Sequence, residues 1–188
     1  LRQIKCATSN IRDLGGWACD GGTVKYGKLF RGGELQSTDT DIFINQLGIR
    51  HELNLRGTTE AEGNPTTLRD YVGFTCPEKY VWYTITDNYN ETWKEILRCA
   101  FDCVTKNKPL YFHCSTGADR TGTVACILEA LLGMSQSDID KDYELTCFSS
   151  GTGTDNTARR RNESEWKGLI NQINALTGST FRDKVINW

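Results

Sequence analysis

Proline, histidine and long apolar stretches are scarce in this sequence. Three prolines among 188 residues, with no periodic glycine, exclude a collagen-like rod or a proline-rich spacer. Two histidines, His51 and His113, cannot supply a Cys/His zinc pattern, and no C-x-x-C pair is present. No metal site is expected. No apolar run approaches the roughly 18 residues needed to cross a bilayer, so no membrane span is expected. A basic excess is missing too: 22 Lys and Arg stand against 24 Asp and Glu, a net charge of −2. That argues against a general nucleic-acid binder. It leaves an anionic substrate open, because a local pocket can be positive on an acidic chain.

What is present suits one packed domain over residues 1–188, expected as a monomer. The chain begins at Leu1, so a removed leader stays open, and with it the choice between a cytoplasmic and a secreted location. Eight cysteines occur, at 6, 19, 76, 99, 103, 114, 126 and 147. A chain with its own apolar core needs no disulfide staples, so most of these read as buried free thiols.

Along the chain, strands first alternate with helices and then helices dominate. That order predicts an α/β fold: a central, mostly parallel sheet flanked by helices in three layers, with a helical C-terminal half. Thr23–Arg31, bounded by glycine pairs, reads as a hairpin or two edge strands. Ser37–Leu47 reads as a helix with Thr38 and Asp41 as a capping box, and Ile49–Leu55 as a strand. Residues 57–78 read as a loop and Lys79–Thr86 as a buried strand. The spacing of Trp93, Ile96, Leu97, Ala100, Phe101 and Val104 predicts an amphipathic helix. Leu110–His113 suits a central strand, and Thr121–Leu132 a helix apolar nearly all round. Ser137 with Asp140, and Asn162 with Glu165, are expected to cap two later helices. Ser179–Trp188 reads as a last helix.

Chemistry concentrates in PLYFHCSTGADRTGTVACILEALL, residues 109–132. It contains Cys114-x5-Arg120. The spacing alone is weak, because Cys6-x5-Arg12 repeats it. Context separates the two: only Cys114 ends an apolar strand, precedes a short loop with a glycine, and leads into a buried helix. Such a turn aims the amides of Ser115, Thr116, Gly117, Ala118, Asp119 and Arg120 at one point and adds a helix N-terminus, which together hold a phosphate dianion. The same field suits a thiolate nucleophile at Cys114. Arg120 can fold back and grip two phosphoryl oxygens with its planar fork. His113 is placed to hold the loop, Thr121 to donate to the departing thiolate, and Asp119 to protonate the leaving oxygen. No cofactor is required.

HCSTGADRTG resembles the phosphate-binding loop of cysteine-dependent tyrosine phosphatases. The closest likeness is to the bacterial and fungal branch with H-C-x-x-G-x-D-R-T-G, which includes secreted mycobacterial and listerial phosphatases. Asn10-Ile11-Arg12-Asp13-Leu14-Gly15-Gly16 resembles its N-x-R-D-[LV]-G-G, and Gly27–Leu35 its G-x-[LV]-[FY]-R-[SG]-G-x-L. Leu47-Gly48-Ile49, Leu53-Asn54-Leu55-Arg56 and Glu60 resemble its L-G-[IV]…D-L-R…E. The resemblance implies hydrolysis of a phosphorylated protein, phosphotyrosine first and with dual specificity open, through a phosphocysteine. The expected partner is a phosphorylated protein or a small phosphomonoester. Rival readings are a phosphoinositide or inositol-phosphate phosphatase, and a phosphate-binding pseudophosphatase. The branch often has Lys where this chain has Ala118, which weakens the polyanion reading, and Asp where it has Asn54. The resemblance implies Asp119 as general acid. Asp87, after the strand expected at 79–86, is the alternative. Arg159–Arg161 reads as a solvated helix start or as charge lining the mouth, and Tyr83 and Tyr89 as core or pocket wall.

Overall fold

The structure, a computed structural model, describes residues 4–56, 83–85, 90–149 and 159–188. Its centre is a four-stranded mixed sheet in the order β1-β4-β6-β5. The strands are β1 (Arg12–Asp13), β4 (Leu29–Gly32), β5 (His51–Asn54) and β6 (Leu110–His113). β4 and β5 both run parallel to β6, and β1 is antiparallel to β4. β2 (Ala18–Cys19) and β3 (Gly22–Thr23) form a separate small hairpin.

Alternation along the strands makes the layers. Leu29, Leu53, Leu110 and Phe112 face the larger core, packed by helices α1 (Asn90–Thr105) and α2 (Asp119–Leu131). Phe30 and Tyr111 face the opposite side and meet Phe43 and Ile49, with Phe43 edge-on to Tyr111 at 4.8 Å. Helices α3 (Gln136–Leu145), α4 (Ser164–Asn174) and α5 (Phe181–Ile186) complete the helical C-terminal half. This is the expected three-layer α/β arrangement.

Several local expectations are corrected. β4 is an interior strand, because Leu29 and Phe30 are buried on opposite faces. The hairpin lies earlier, at β2–β3. Ser37–Leu47 is not one regular helix: a 3-10 turn (Ser37–Asp39) runs into a π-type turn (Ile42–Gln46). No side chain caps it, and Asp39 instead accepts bonds from the Ala7 and Thr8 amides and the Thr8 hydroxyl. In α1 the buried stripe is Trp93, Ile96, Cys99, Ala100 and Cys103, while Phe101 and Val104 are exposed. Cysteine behaves there as a small apolar residue. The cap of α3 is Ser135, which accepts from the Asp138 amide, and Asp140 instead accepts from the Trp166 indole at 2.7 Å. α4 begins at Ser164, behind Glu163, with no side-chain cap. α5 carries a capping box of Thr180 and Asp183. Of the strand expected at 79–86, the described residues 83–85 are not in the sheet. The rest of it, and the loop at 57–78, lie outside the described residues.

Candidate active site

The three parallel strands end together: Gly32, Asn54 and His113 are in register. The crevice beyond the carboxyl ends of parallel strands is where such sheets bind ligands. Cys114 stands there, directly after β6. Residues 115–118 turn, and α2 begins at Asp119. Helix α2 starts two residues before the position expected from periodicity, which puts Asp119 and Arg120 on its first turn.

The loop is tied down from behind. The Ser115 carbonyl accepts from the Glu34 amide at 2.9 Å. The Gly117 carbonyl accepts from Asn10 Nδ2 at 2.7 Å and from Arg31 Nη2 at 3.1 Å. Asn10 Nδ2 also reaches the Thr116 carbonyl at 3.4 Å. In a planar trans peptide the N–H points opposite to the preceding C=O. Carbonyls of 115, 116 and 117 engaged at the back therefore turn the amides of Thr116, Gly117 and Ala118 toward the front. Gly117 has φ +70°, and a Cβ there would collide with the backbone of Gly32 and Gly33. Only glycine allows that approach.

Behind this loop lies a buried ion cluster. Asp142 of α3 accepts from Arg12 Nε at 2.8 Å and Arg31 Nη1 at 2.6 Å, and all three side chains are enclosed. Burial pushes the Asp142 carboxyl up, but Arg12 and Arg31 more than offset it and hold it at about 2. Burial, then the Asp142 carboxylate, pushes neighbouring Glu129 well above the carboxylate range. The N-terminal segments that resembled the phosphatase branch thus act on the loop: Asn10 and Arg31 touch it, and Arg12 shares the Asp142 carboxylate with Arg31. Arg12 also donates to the Asn10 carboxamide oxygen.

Cys114 is 3% exposed, with His113 ending β6 before it and Asp119, Arg120 and Thr121 on the first turn of α2 after it. Arg120 folds back so that Nη2 meets Ser115 Oγ at 3.1 Å. Thr121 is fully enclosed, and its hydroxyl has no hydrogen-bond partner among the described residues. His113 Nδ1 lies 3.0 Å from the Cys114 carbonyl, which can only accept, so that nitrogen carries a proton. Its Nε2 pairs with buried Glu52 at 2.5 Å. Ala118 is fully enclosed. Asn54 serves the next turn, accepting from Arg56 N and Nε, while Arg56 pairs with Glu34 at 2.9 Å.

Asp119 is the residue with the most telling surroundings. Its Oδ1 accepts from the Tyr83 hydroxyl at 2.6 Å and from Arg159 Nε at 2.7 Å. Its Oδ2 accepts from Arg159 Nη2 at 3.1 Å. Arg159 is therefore neither a solvated helix start nor a bare mouth charge, and Arg161 pairs with Glu144 away from this site. Asp87 and Tyr89 lie outside the described residues.

The rival Cys6-x5-Arg12 is not a second loop. Burial and nearby Asp39 push the Cys6 thiol to about 11, and Arg12 is spent on Asp142. Burial, then Glu129, likewise pushes Cys126 well above the usual thiol range. Among the described residues no group of three metal-ligating side chains is present. No helix among them is long and apolar enough to cross a membrane.

Sequence reading alone missed Glu52, Arg31, Asp142 and the contact of Tyr83 with Asp119. Arg31 lay inside a quoted motif and Tyr83 was read as core or pocket wall, while Glu52 and Asp142 carried no such signal.

A family model described as the tyrosine phosphatase family matches residues 6–183. The chain belongs to the tyrosine phosphatase family. It is 28% identical over 165 residues to a protein of Cupriavidus necator that carries a provisional name as a tyrosine-protein phosphatase. That alignment covers 72% of this chain, and the chain spans 59% of the relative's length. Among solved structures, PTPMT1 in complex with PI(5)P is similar with a TM-score of 0.56 at 9% identity, covering 94% of this chain and 96% of that one. The human tyrosine phosphatase-like serine/threonine/tyrosine-interacting protein is similar with a TM-score of 0.51 at 14% identity, covering 78% and 91%. At such identities the likeness establishes the phosphatase fold.

Proposed function

We propose that this tyrosine phosphatase family member, acting as one domain, hydrolyses phosphate monoesters through a phosphocysteine on Cys114, with protein phosphotyrosine as the first substrate class. The supporting observation is the loop itself. Three carbonyls are held from behind, which turns the next three amides away from those partners, and Arg120 folds back onto Ser115 of the same loop. That is a pre-formed cradle for a dianion, aimed before substrate arrives.

The chemistry runs in two displacements. The Cys114 thiolate attacks phosphorus in line with the ester oxygen, and the amides and Arg120 hold the equatorial oxygens. The P–O bond breaks, and the proton on Asp119 passes to the leaving oxygen. Water then attacks the phosphocysteine and gives its proton to the Asp119 carboxylate. The P–S bond breaks, and the buried Thr121 hydroxyl, unpartnered among the described residues, donates to the returning thiolate. Net, monoester and water become alcohol and phosphate. His113, braced by Glu52, fixes the Cys114 carbonyl and hence the start of the loop.

The family and the acid-bearing loop favour phosphotyrosine. A phosphoinositide reading has one observation behind it, the overall likeness to PTPMT1 solved with PI(5)P. A panel of phosphotyrosine peptides, phosphoserine peptides and phosphoinositides, with vanadate as inhibitor, separates the two. Reduced wild-type protein without turnover on any of them sinks the enzyme reading in favour of a phosphate-binding module. For the acid, Asp119→Ala should cut turnover of a poor leaving group by about 100-fold or more, and Asp87→Ala should do little. The reverse result transfers the role to Asp87.

A further inference from the structure

The two oxygens of Asp119 are not equivalent. Oδ1 carries two short bonds, from Tyr83 and from Arg159 Nε, and Oδ2 carries one longer bond, from Arg159 Nη2. The Asp119 and Arg159 side chains keep 16% and 19% exposure, so the pair sits at the rim of the site.

Tyr83 is built to stay where it is. Its backbone is in the left-handed region at φ +51°, which a bulky residue adopts only when its surroundings fix it. Its amide donates to Thr123 Oγ1 at 3.0 Å, and its carbonyl accepts from Gln172 Nε2 at 3.1 Å. Thr123 is on α2, one turn after Asp119, and its hydroxyl also donates to the Asp119 carbonyl. The Tyr83 hydroxyl is braced by the Tyr143 hydroxyl at 2.7 Å, and Tyr143 stacks on Trp166. Burial and the Asp119 carboxylate push the Tyr83 phenol far above its usual range, so it remains a donor. A strained residue held at backbone, ring and hydroxyl has one evident output, the bond to Oδ1.

Arginine has donors only. Its fork satisfies both oxygens of a carboxylate, whereas a protonated Oδ2 carries its own O–H and is a much weaker acceptor for Nη2. We propose that Tyr83 and Arg159 are positioning residues for proton transfer by Asp119: Tyr83 pins Oδ1 in both half-reactions, and Arg159 holds the carboxylate of the second half-reaction and surrenders Oδ2 in the first. Oδ2 is then the oxygen that gives its proton to the leaving group and later takes one from water. Charge and protons balance as in the two displacements above. This rests on the reading of Asp119 as the general acid.

The test measures a series of aryl and alkyl phosphates spanning leaving-group acidity, for wild type, Asp119→Ala, Tyr83→Phe and Arg159→Gln. Tyr83→Phe should steepen the dependence of kcat/KM on leaving-group acidity, losing about tenfold or more on the poorest leaving groups and less on the best. That is the size expected for one bond to a charged group. Arg159→Gln should slow breakdown of the phosphocysteine, so that kcat and KM fall together and a pre-steady-state burst grows. Arg159→Lys should recover less than half of the lost kcat, because an ammonium cannot span both oxygens. A purely structural role would change all substrates equally and leave the burst alone. That outcome overturns the proposal, with thermal midpoints checking that the variants are folded. If Asp119→Ala does not steepen the dependence either, the acid reading fails and the proposal falls with it. If Asp119→Ala steepens it and neither partner variant has its stated effect, only the positioning proposal is overturned.

Discussion

Asp142→Asn tests the ion cluster behind the phosphate loop. The substitution keeps the shape of the side chain and removes its charge. What remains is Arg12 and Arg31, both enclosed, with no full counter-charge at 2.8 and 2.6 Å and only Glu129, which burial first of all holds neutral, as a neighbouring carboxyl. Breaking a buried pair in this way costs about 3–5 kcal/mol. For a chain of this size each kcal/mol moves the midpoint by about 2–4 °C, so a drop of roughly 6–20 °C is expected. The pH dependence gives a second signature. The Asp142 carboxyl is held at about 2, below its ordinary 3.8. Its stabilising contribution, on the order of 2 kcal/mol, is complete above the unfolded value and disappears as pH falls through the folded one. The wild type should therefore lose stability between about pH 4 and pH 2 by a component that the Asn variant lacks. Urea unfolding of both proteins from pH 6 down to pH 2 measures it. The gap should narrow as pH falls, and the affinity for vanadate should weaken in the variant because Arg31 also holds the Gly117 carbonyl. A gap below about 1 kcal/mol at pH 6, or one that ignores pH, refutes the reasoning.

Two further outcomes follow from the loop. Gly117→Ala introduces a Cβ against the backbone of Gly32 and Gly33 at a left-handed φ, so turnover should fall by about 100-fold or more, read by steady-state kinetics against an oxyanion-binding assay. Thr121→Val replaces an enclosed hydroxyl, unpartnered among the described residues, with a methyl group of similar shape, so stability should change by less than about 1 kcal/mol. Phosphocysteine should nevertheless accumulate, measured as a larger burst with a good leaving group.

How much was legible in the sequence differs by residue. The β6–loop–α2 unit was readable because its signals are local: an apolar run to His113, a glycine at 117, then a helix apolar on every side. The Cys114–Arg120 arrangement followed from the same window. Caps were read two residues late for α3, since Ser137 and Ser135 offer the same side chain and only packing chooses between them. Phe101 and Val104 fit the periodicity of α1, yet Cys99 and Cys103 took the buried stripe, because hydropathy patterns undervalue cysteine. Asp142 looks like any helix-surface carboxylate in QSDIDKDYEL. Only the fold delivers Arg12 and Arg31 to it, from more than 100 residues away. Tyr83 and Arg159 reach Asp119 across 36 and 40 residues, with no periodicity connecting them. Long-range polar pairing is set by tertiary geometry, and a window of sequence does not contain it.

The central claim is that Cys114 carries the phosphoryl group. Acid quenching during turnover of a phosphotyrosine peptide, followed by peptide mapping by mass spectrometry, addresses it directly. The account requires one phosphoryl group on the peptide containing Cys114, in wild type and not in Cys114→Ser, with the latter still binding vanadate or phosphate. A burst of product with no phosphoryl group at Cys114, or turnover surviving in Cys114→Ser, contradicts it.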